Sequence, residues 1–93
     1  MSVMSIELLI QRVAEICKAN DVKHLVLIGS FATNTATLTS DIDFVVYDCP
    51  DIMRLEEALE NIDTLRKIDV FDYNSIHNKY LLEDIEKYGK QIY

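Results

Sequence analysis

The sequence predicts an α/β (α+β) fold in which helices pack against one β-sheet. Three observations carry that prediction. Helical and extended patterning alternates along the chain; the run Leu25-Val26-Leu27-Ile28 is apolar on both faces; and residues 41–47 alternate between two faces. The 93 residues suit a single domain, 1–93, with one modest core.

Each element has its own local reason. Ile6, Leu9, Ile10, Val13, Ile16 and Cys17 fall on one helical stripe, with Ser5 placed to cap its start and Asn20-Asp21 to end it. Cys17 on that stripe reads as a small core residue. Leu25 to Ile28 reads as a buried central strand ending at Gly29. In the next strand Ile42, Phe44 and Val46 face one side, and Asp41, Asp43, Val45 and Tyr47 the other. Asp48-Cys49-Pro50-Asp51 is turn chemistry, and a helix follows with Ile52, Leu55, Leu59 and Ile62 inward. Leu65 to Tyr73 reads as a third strand, Lys67, Asp69 and Phe71 on one face and Ile68, Val70 and Asp72 on the other. A last helix is predicted from Ile76 to Tyr88, anchored by Tyr80, Leu81, Leu82, Ile85 and Tyr88, with Gly89 as its C′ residue and Ile92-Tyr93 extended. These elements suggest two layers.

Composition narrows the function. Nine basic residues against sixteen acidic give a net charge of −7, which argues against direct nucleic-acid or anionic-membrane binding because phosphates would be repelled. With Gly29 and Gly89 alone, neither a dinucleotide-binding glycine fingerprint nor a Walker loop can be written. Cys17, Cys49, His24 and His77 lie too far apart for zinc-type pairing. No apolar run reaches the ~20 residues of a membrane span, and no signal-peptide pattern opens the chain. A cytoplasmic protein with reduced thiols is the expectation.

The chemistry concentrates in Gly29-Ser30, ten intervening residues, then Asp41-Ile42-Asp43, with Asp69 on the following strand. Aspartate is a poor strand residue, yet Asp41 and Asp43 share one face. Carboxylates crowded together disfavour their ionised forms unless a cation neutralises them. Hard oxygen ligands suit Mg²⁺ or Mn²⁺, held by a few carboxylates plus substrate phosphates. A glycine at a strand end allows close backbone approach, and the amides and hydroxyl of the following turn can hold a triphosphate. A lone D-x-D is more often a solvated strand face, and a lone Gly-Ser usually a turn; together, between apolar strands, they outline a nucleotide-transfer site.

Leu27-Ile28-Gly29-Ser30-Phe31-Ala32, then Ser40-Asp41-Ile42-Asp43-Phe44-Val45-Val46, then Ile68-Asp69-Val70, resembles the minimal nucleotidyltransferases of the DNA polymerase β superfamily over nearly the whole chain. The resemblance implies a palm-like mixed β-sheet packed against helices. It implies metal ligands and catalytic residues at Asp41, Asp43 and Asp69, and nucleotide contacts from Gly29, Ser30 and Ser40. It also implies ATP as substrate, and a helical toxin partner of the HEPN ribonuclease type, silenced by transfer of AMP onto a tyrosine. A homo- or hetero-oligomer fits such a role. One departure stands out. Many relatives carry Arg-Gly shortly after the Gly-Ser, where this chain has Thr33-Asn34, so a compensating cation must come from Lys67 or the partner. That departure opens an alternative, a weakened transferase that neutralises its partner by stoichiometric binding. Transfer to a small molecule such as an aminoglycoside is weaker, because 93 residues leave little room for an acceptor domain.

The remaining polar residues have plainer readings. His24 and His77 lie outside the motif and read as surface or capping residues, and the five tyrosines as packing residues. Asp72, opposite in face to Asp69, reads as structural. The surplus acidity serves solubility or a basic partner.

Overall fold

The computed structural model describes residues 4–93. In chain order it holds α1 (Ile6–Ala19), β1 (His24–Ile28), a 3₁₀ turn at Gly29–Phe31, β2 (Ile42–Tyr47), α2 (Ile52–Glu60), β3 (Ile68–Asp72), a second 3₁₀ turn at Tyr73–Ser75, α3 (Lys79–Tyr88) and the short β4 (Lys90–Gln91). The sheet order is β3-β2-β1-β4. β1 runs antiparallel to both its neighbours, while β2 and β3 are parallel. A parallel pair cannot be joined by a hairpin, so the chain needs a crossover between them, and α2 supplies it. The result is the mixed α/β sheet that the alternating pattern predicts.

Caps set the helix limits. The Ser5 hydroxyl accepts a hydrogen bond from the Leu8 N–H at 3.1 Å, and the Asn20 side-chain amide donates to the Ile16 carbonyl at 2.8 Å. The Asp51 carboxylate accepts from the Arg54 N–H at 3.1 Å and starts α2.

The two faces of the sheet are used differently. Leu25 and Leu27 of β1 and Ile42, Phe44 and Val46 of β2 pack against Leu9, Val13 and Cys17 of α1 and Leu55 and Leu59 of α2. The other face carries Val26, Ile28 and Val45, which bury against Ile85 of α3. The sheet is therefore covered on both sides, not in two layers alone. The reason lies in β1: a strand apolar on both faces needs apolar cover on both.

Several boundaries depart from the sequence reading. β3 begins at Ile68, and Leu65 is 97% exposed in the preceding loop. It stops at Asp72 because that carboxylate turns back to accept from the Asn74 N–H and the Ser75 hydroxyl, a structural role. α3 starts at Lys79 and not at Ile76, since Asn78 caps it by accepting from the N–H groups of Tyr80 and Leu81. Of its expected anchors only Ile85 is buried, while Tyr80 is 80% exposed. Extended pairing starts earlier than expected, at Lys90–Gln91 against Val26 and Leu27. It continues through the expected Ile92-Tyr93, where the Ile92 N–H donates to the Leu25 carbonyl at 2.7 Å and the Tyr93 carbonyl accepts from the Leu25 N–H at 3.2 Å. Gly89 has extended backbone, φ −62° and ψ 140°, in place of the left-handed C′ geometry. Its smallness serves close approach: a Cβ there would meet the Ile85 carbonyl oxygen and lie 2.8 Å from Val26 Cγ1.

That contact yields a prediction. Gly89→Ala forces α3 away from β1 and should cost about 1–3 kcal/mol, the usual penalty of overpacking, read as a lower urea midpoint. An unchanged midpoint would show that the α3–β4 corner adjusts freely.

Candidate functional site

The candidate site grows out of strand register. Inward packing of Ile42, Phe44 and Val46 turns Asp43 to the opposite face. Ile68 and Val70 pack on the same core, so Asp69 also points away from it. Across the ladders, Ile28 pairs with Asp43 and Asp43 pairs with Asp69. The end of β1 and the two aspartates thus form one row across three strands. Gly29, immediately after, takes a left-handed φ of +74°, and a Cβ on it would lie 2.7 Å from Asp43 Oδ2. Only glycine leaves Asp43 undisturbed there.

The other expected residues have less central places. Asp41 lies one position before β2 and is exposed. Ser30 is in the 3₁₀ turn, where its carbonyl accepts from the Thr35 N–H at 2.9 Å. The Gly29 carbonyl accepts from Ala32 and Thr33, closing the turn. The Ser40 hydroxyl is engaged locally, accepting from the Thr37 N–H at 2.8 Å.

The charges are arranged against one another. Asp43 is held above its ordinary carboxylate value, first by burial, then by the Asp69 charge, by hydrogen bonding with Asp69 and by the Asp41 charge; Lys67 partly opposes this. Lys67 reaches back to Asp69, with Nζ 3.6 Å from Oδ1, and is itself 70% exposed. Among the described residues no three His, Cys, Asp or Glu side chains gather into a ready-made metal cage. The row still fits a magnesium-type ion, which takes one or two carboxylates and completes its shell with water and phosphate oxygens. Asp43 and Asp69, paired in register, could supply such carboxylates, and Asp41 is near enough for its charge to act on Asp43.

One residue escaped the sequence reading. Arg66 lies over the Phe31 ring at 4.9 Å and donates to the carbonyls of Ser40 and Thr37. With Leu38, Ser40, Asp41, Leu65 and Lys67 it lines a cleft of about 550 Å³. No local pattern marks it, because its partners lie 26 to 35 residues away. His24 stands at the far end of β1, edge-on to Tyr47, which stacks on Tyr73 at 4.2 Å. His77 is exposed. Neither histidine belongs to the carboxylate row.

Residues 11–93 match the family model described as polymerase β, nucleotidyltransferase. The chain belongs to that family. A Methanocaldococcus jannaschii relative named as a protein adenylyltransferase is 38% identical over 86 residues, covering 87% of each chain. Another, similarly named, is 39% identical over 72 residues, covering 71% of this chain and 72% of its own. Among solved structures, a toxin–antitoxin with AMP-PNP superposes with a TM-score of 0.68 at 22% identity, over 90% of this chain and 72% of that one. A mutant of the toxin–antitoxin MntA-HpeT gives 0.66 at 20%, with the same coverage. At those identities the likeness is one of fold. Among the described residues no helix of this nucleotidyltransferase is long and apolar enough to cross a membrane.

The raised Asp43 carboxyl predicts a pH dependence. A folded-state value above the unfolded one contributes stability that is present below the unfolded pKa and lost as pH rises through the folded pKa. Without added metal, Asp43→Asn should melt a few degrees higher than wild type at pH 7. The two curves should converge below about pH 4, the ordinary carboxyl range of the unfolded chain. A variant that melts lower at neutral pH would instead make Asp43 a net stabilising hydrogen-bond acceptor.

Proposed function

We propose that this chain is a metal-dependent protein adenylyltransferase that moves AMP from ATP to a tyrosine of a cognate toxin of the HEPN type, and so acts as its antitoxin. The observation that carries the reading is the register of Asp43 and Asp69 with Gly29 set against them. The names of the Methanocaldococcus jannaschii relatives support protein as the acceptor, and the toxin–antitoxin structures support a toxin partner and an adenine nucleotide. Two free cysteines, Cys17 and Cys49, are consistent with a reduced cytoplasmic setting.

In this reading the tyrosine oxygen forms a bond to the α-phosphorus of ATP, the bond to the bridging oxygen breaks, and pyrophosphate and the phenolic proton are released. Asp43 and Asp69, with Asp41 beside them, would hold the Mg²⁺ or Mn²⁺. That ion would neutralise charge on the transferring phosphoryl group and favour the deprotonated nucleophile. Gly29 admits the phosphates close to the backbone, and Ser30 and Ser40 offer hydroxyls along the loop. Lys67 is an exposed countercharge beside Asp69 and would turn toward phosphate oxygens once Asp69 has another cation. The acceptor arrives on another protein, whose surface would exclude water from an open sheet face.

The test mixes the chain, its partner and Mg²⁺ with ATP. Intact-mass analysis should show the partner heavier by one or more AMP units, and Asp43→Asn or Asp69→Asn should reduce transfer by at least about a hundredfold, on the scale of losing a major electrostatic contact. Mg²⁺ with ATP should also raise the wild-type melting temperature through binding to the folded state, and Asp43→Asn should lose most of that shift. The absence of a charged residue from Thr33 to Thr39 favours the second reading, stoichiometric inhibition. It would replace the first if wild type and the double aspartate variant silence an unmodified partner equally well.

A further inference from the structure

The stretch between Phe31 and Asp41 links the glycine turn to the carboxylate strand, and beyond Phe31 it holds no helix or strand, only turns at residues 32–34 and 38–39. Its internal hydrogen bonds are short-range: Thr35 N–H to the Ser30 carbonyl, Thr33 to Thr35 through their hydroxyls, and Ser40 N–H to the Thr37 carbonyl. Asn34 holds a left-handed φ of 60° within it. Among the described residues, the hydrogen bonds that Thr37 and Ser40 receive from outside this stretch come from Arg66 alone. The Arg66 backbone is itself fixed, its N–H donating to the Thr64 hydroxyl at 3.2 Å. The next residue reinforces the join, the Lys67 carbonyl accepting from the Ile42 N–H at 3.0 Å.

We propose that Arg66 is a positioning residue that clamps the 31–41 loop to the start of β3. The clamp has two ends. The Phe31 ring under the guanidinium fixes the side next to Gly29-Ser30, and the Ser40 and Thr37 carbonyls fix the side next to Asp41. A planar guanidinium can serve both at once, stacking by its face while its edge donates; a lysine ammonium has neither plane nor fork. Arg66 thus answers for the missing Arg-Gly in a different manner from a phosphate-binding cation: its charge is spent on carbonyl oxygens and a ring, so it orders the loop. The consequence for ligand rests on the nucleotide reading of this site. When only a fraction of molecules hold the competent loop, apparent affinity falls by that fraction while the bound complex is unaltered. A clamp lost to the point of a one-tenth competent population therefore weakens nucleotide about tenfold and leaves kcat nearly unchanged.

Hydrogen exchange on the full chain without nucleotide tests the clamp directly. Arg66→Ala should speed exchange of the hydrogen-bonded amides of 35–41, those of Thr35, Thr37 and Ser40, about tenfold, an opening that local instability permits without global unfolding, while β2 amides and the melting temperature stay close to wild type. Arg66→Lys should restore only part of the protection. Phe31→Leu, which keeps apolar bulk and removes the ring face, should release the loop in part; these two variants carry the test if Arg66→Ala fails to fold. Unchanged exchange at 35–41 in the folded variants overturns the proposal. Calorimetry with Mg²⁺ and AMP-PNP should then show binding about tenfold weaker in Arg66→Ala, and in the transfer assay KM for ATP should rise while kcat holds. Weaker binding with no loop release would instead make Arg66 a direct phosphate contact and also overturns the proposal. If wild type binds no AMP-PNP, the nucleotide reading fails, and the exchange result still decides the clamp.

Discussion

Two carboxylates are held side by side across the parallel β2–β3 ladder, and much of the molecule keeps them from moving apart. Their repulsion opposes folding, so apolar burial beneath the strands must exceed it. Ile42, Phe44 and Val46, all fully buried, anchor β2 from below, and Ile68 and Val70 anchor β3 on the same core. Slipping either strand by one residue would bring the aspartates into the core and put apolar side chains outside, a far larger cost than the repulsion. The hydrophobic pattern thus fixes the position of the charges.

The surrounding polar parts follow from that constraint. Gly29 has no side chain because Asp43 occupies the space. Lys67, two residues before Asp69, supplies a partial countercharge from an exposed position, where it can leave without disturbing the core. Arg66, its neighbour, points to the other rim of the site. The adjacent cations divide the work: one balances charge and one holds backbone.

Much of this was legible in the sequence because it depends on period-two alternation and strand ends. Val45 and Tyr47 pointing away from the main core, Asp43 and Asp69 each standing opposite the apolar residues of its own strand, and Gly29 ending β1 all follow from local pattern, whereas the pairing of Asp43 with Asp69 is a non-local register. The pattern does not rank the three aspartates. Asp41 shares their alternation, but it lies beyond the first residue of β2 and is left to solvent. The start of α3 is not legible because Ile76 satisfies apolar periodicity as well as any helical residue, and only the Asn78 cap and the Tyr73–Ser75 turn fix the boundary. Gly89 differs for a related reason: a glycine after a helix suggests backbone freedom, whereas here the last turn of α3 and the opposing strand demand the space. Arg66 was invisible because cation–ring and cation–carbonyl contacts between distant residues leave no spacing to read.

The position of β3 at the margin of the sheet has a consequence for how the protein behaves in concentrated solution. A marginal strand offers unpaired backbone groups to any other chain, and charged side chains along it discourage such pairing. Lys67, Asp69 and Asp72 supply those charges here, whereas Asp43 is flanked by strands on both sides. Asp69 therefore contributes to colloidal solubility as well as to the carboxylate row, and neutralising it leaves β3 a smoother template for self-association. Asp43 carries no such second duty.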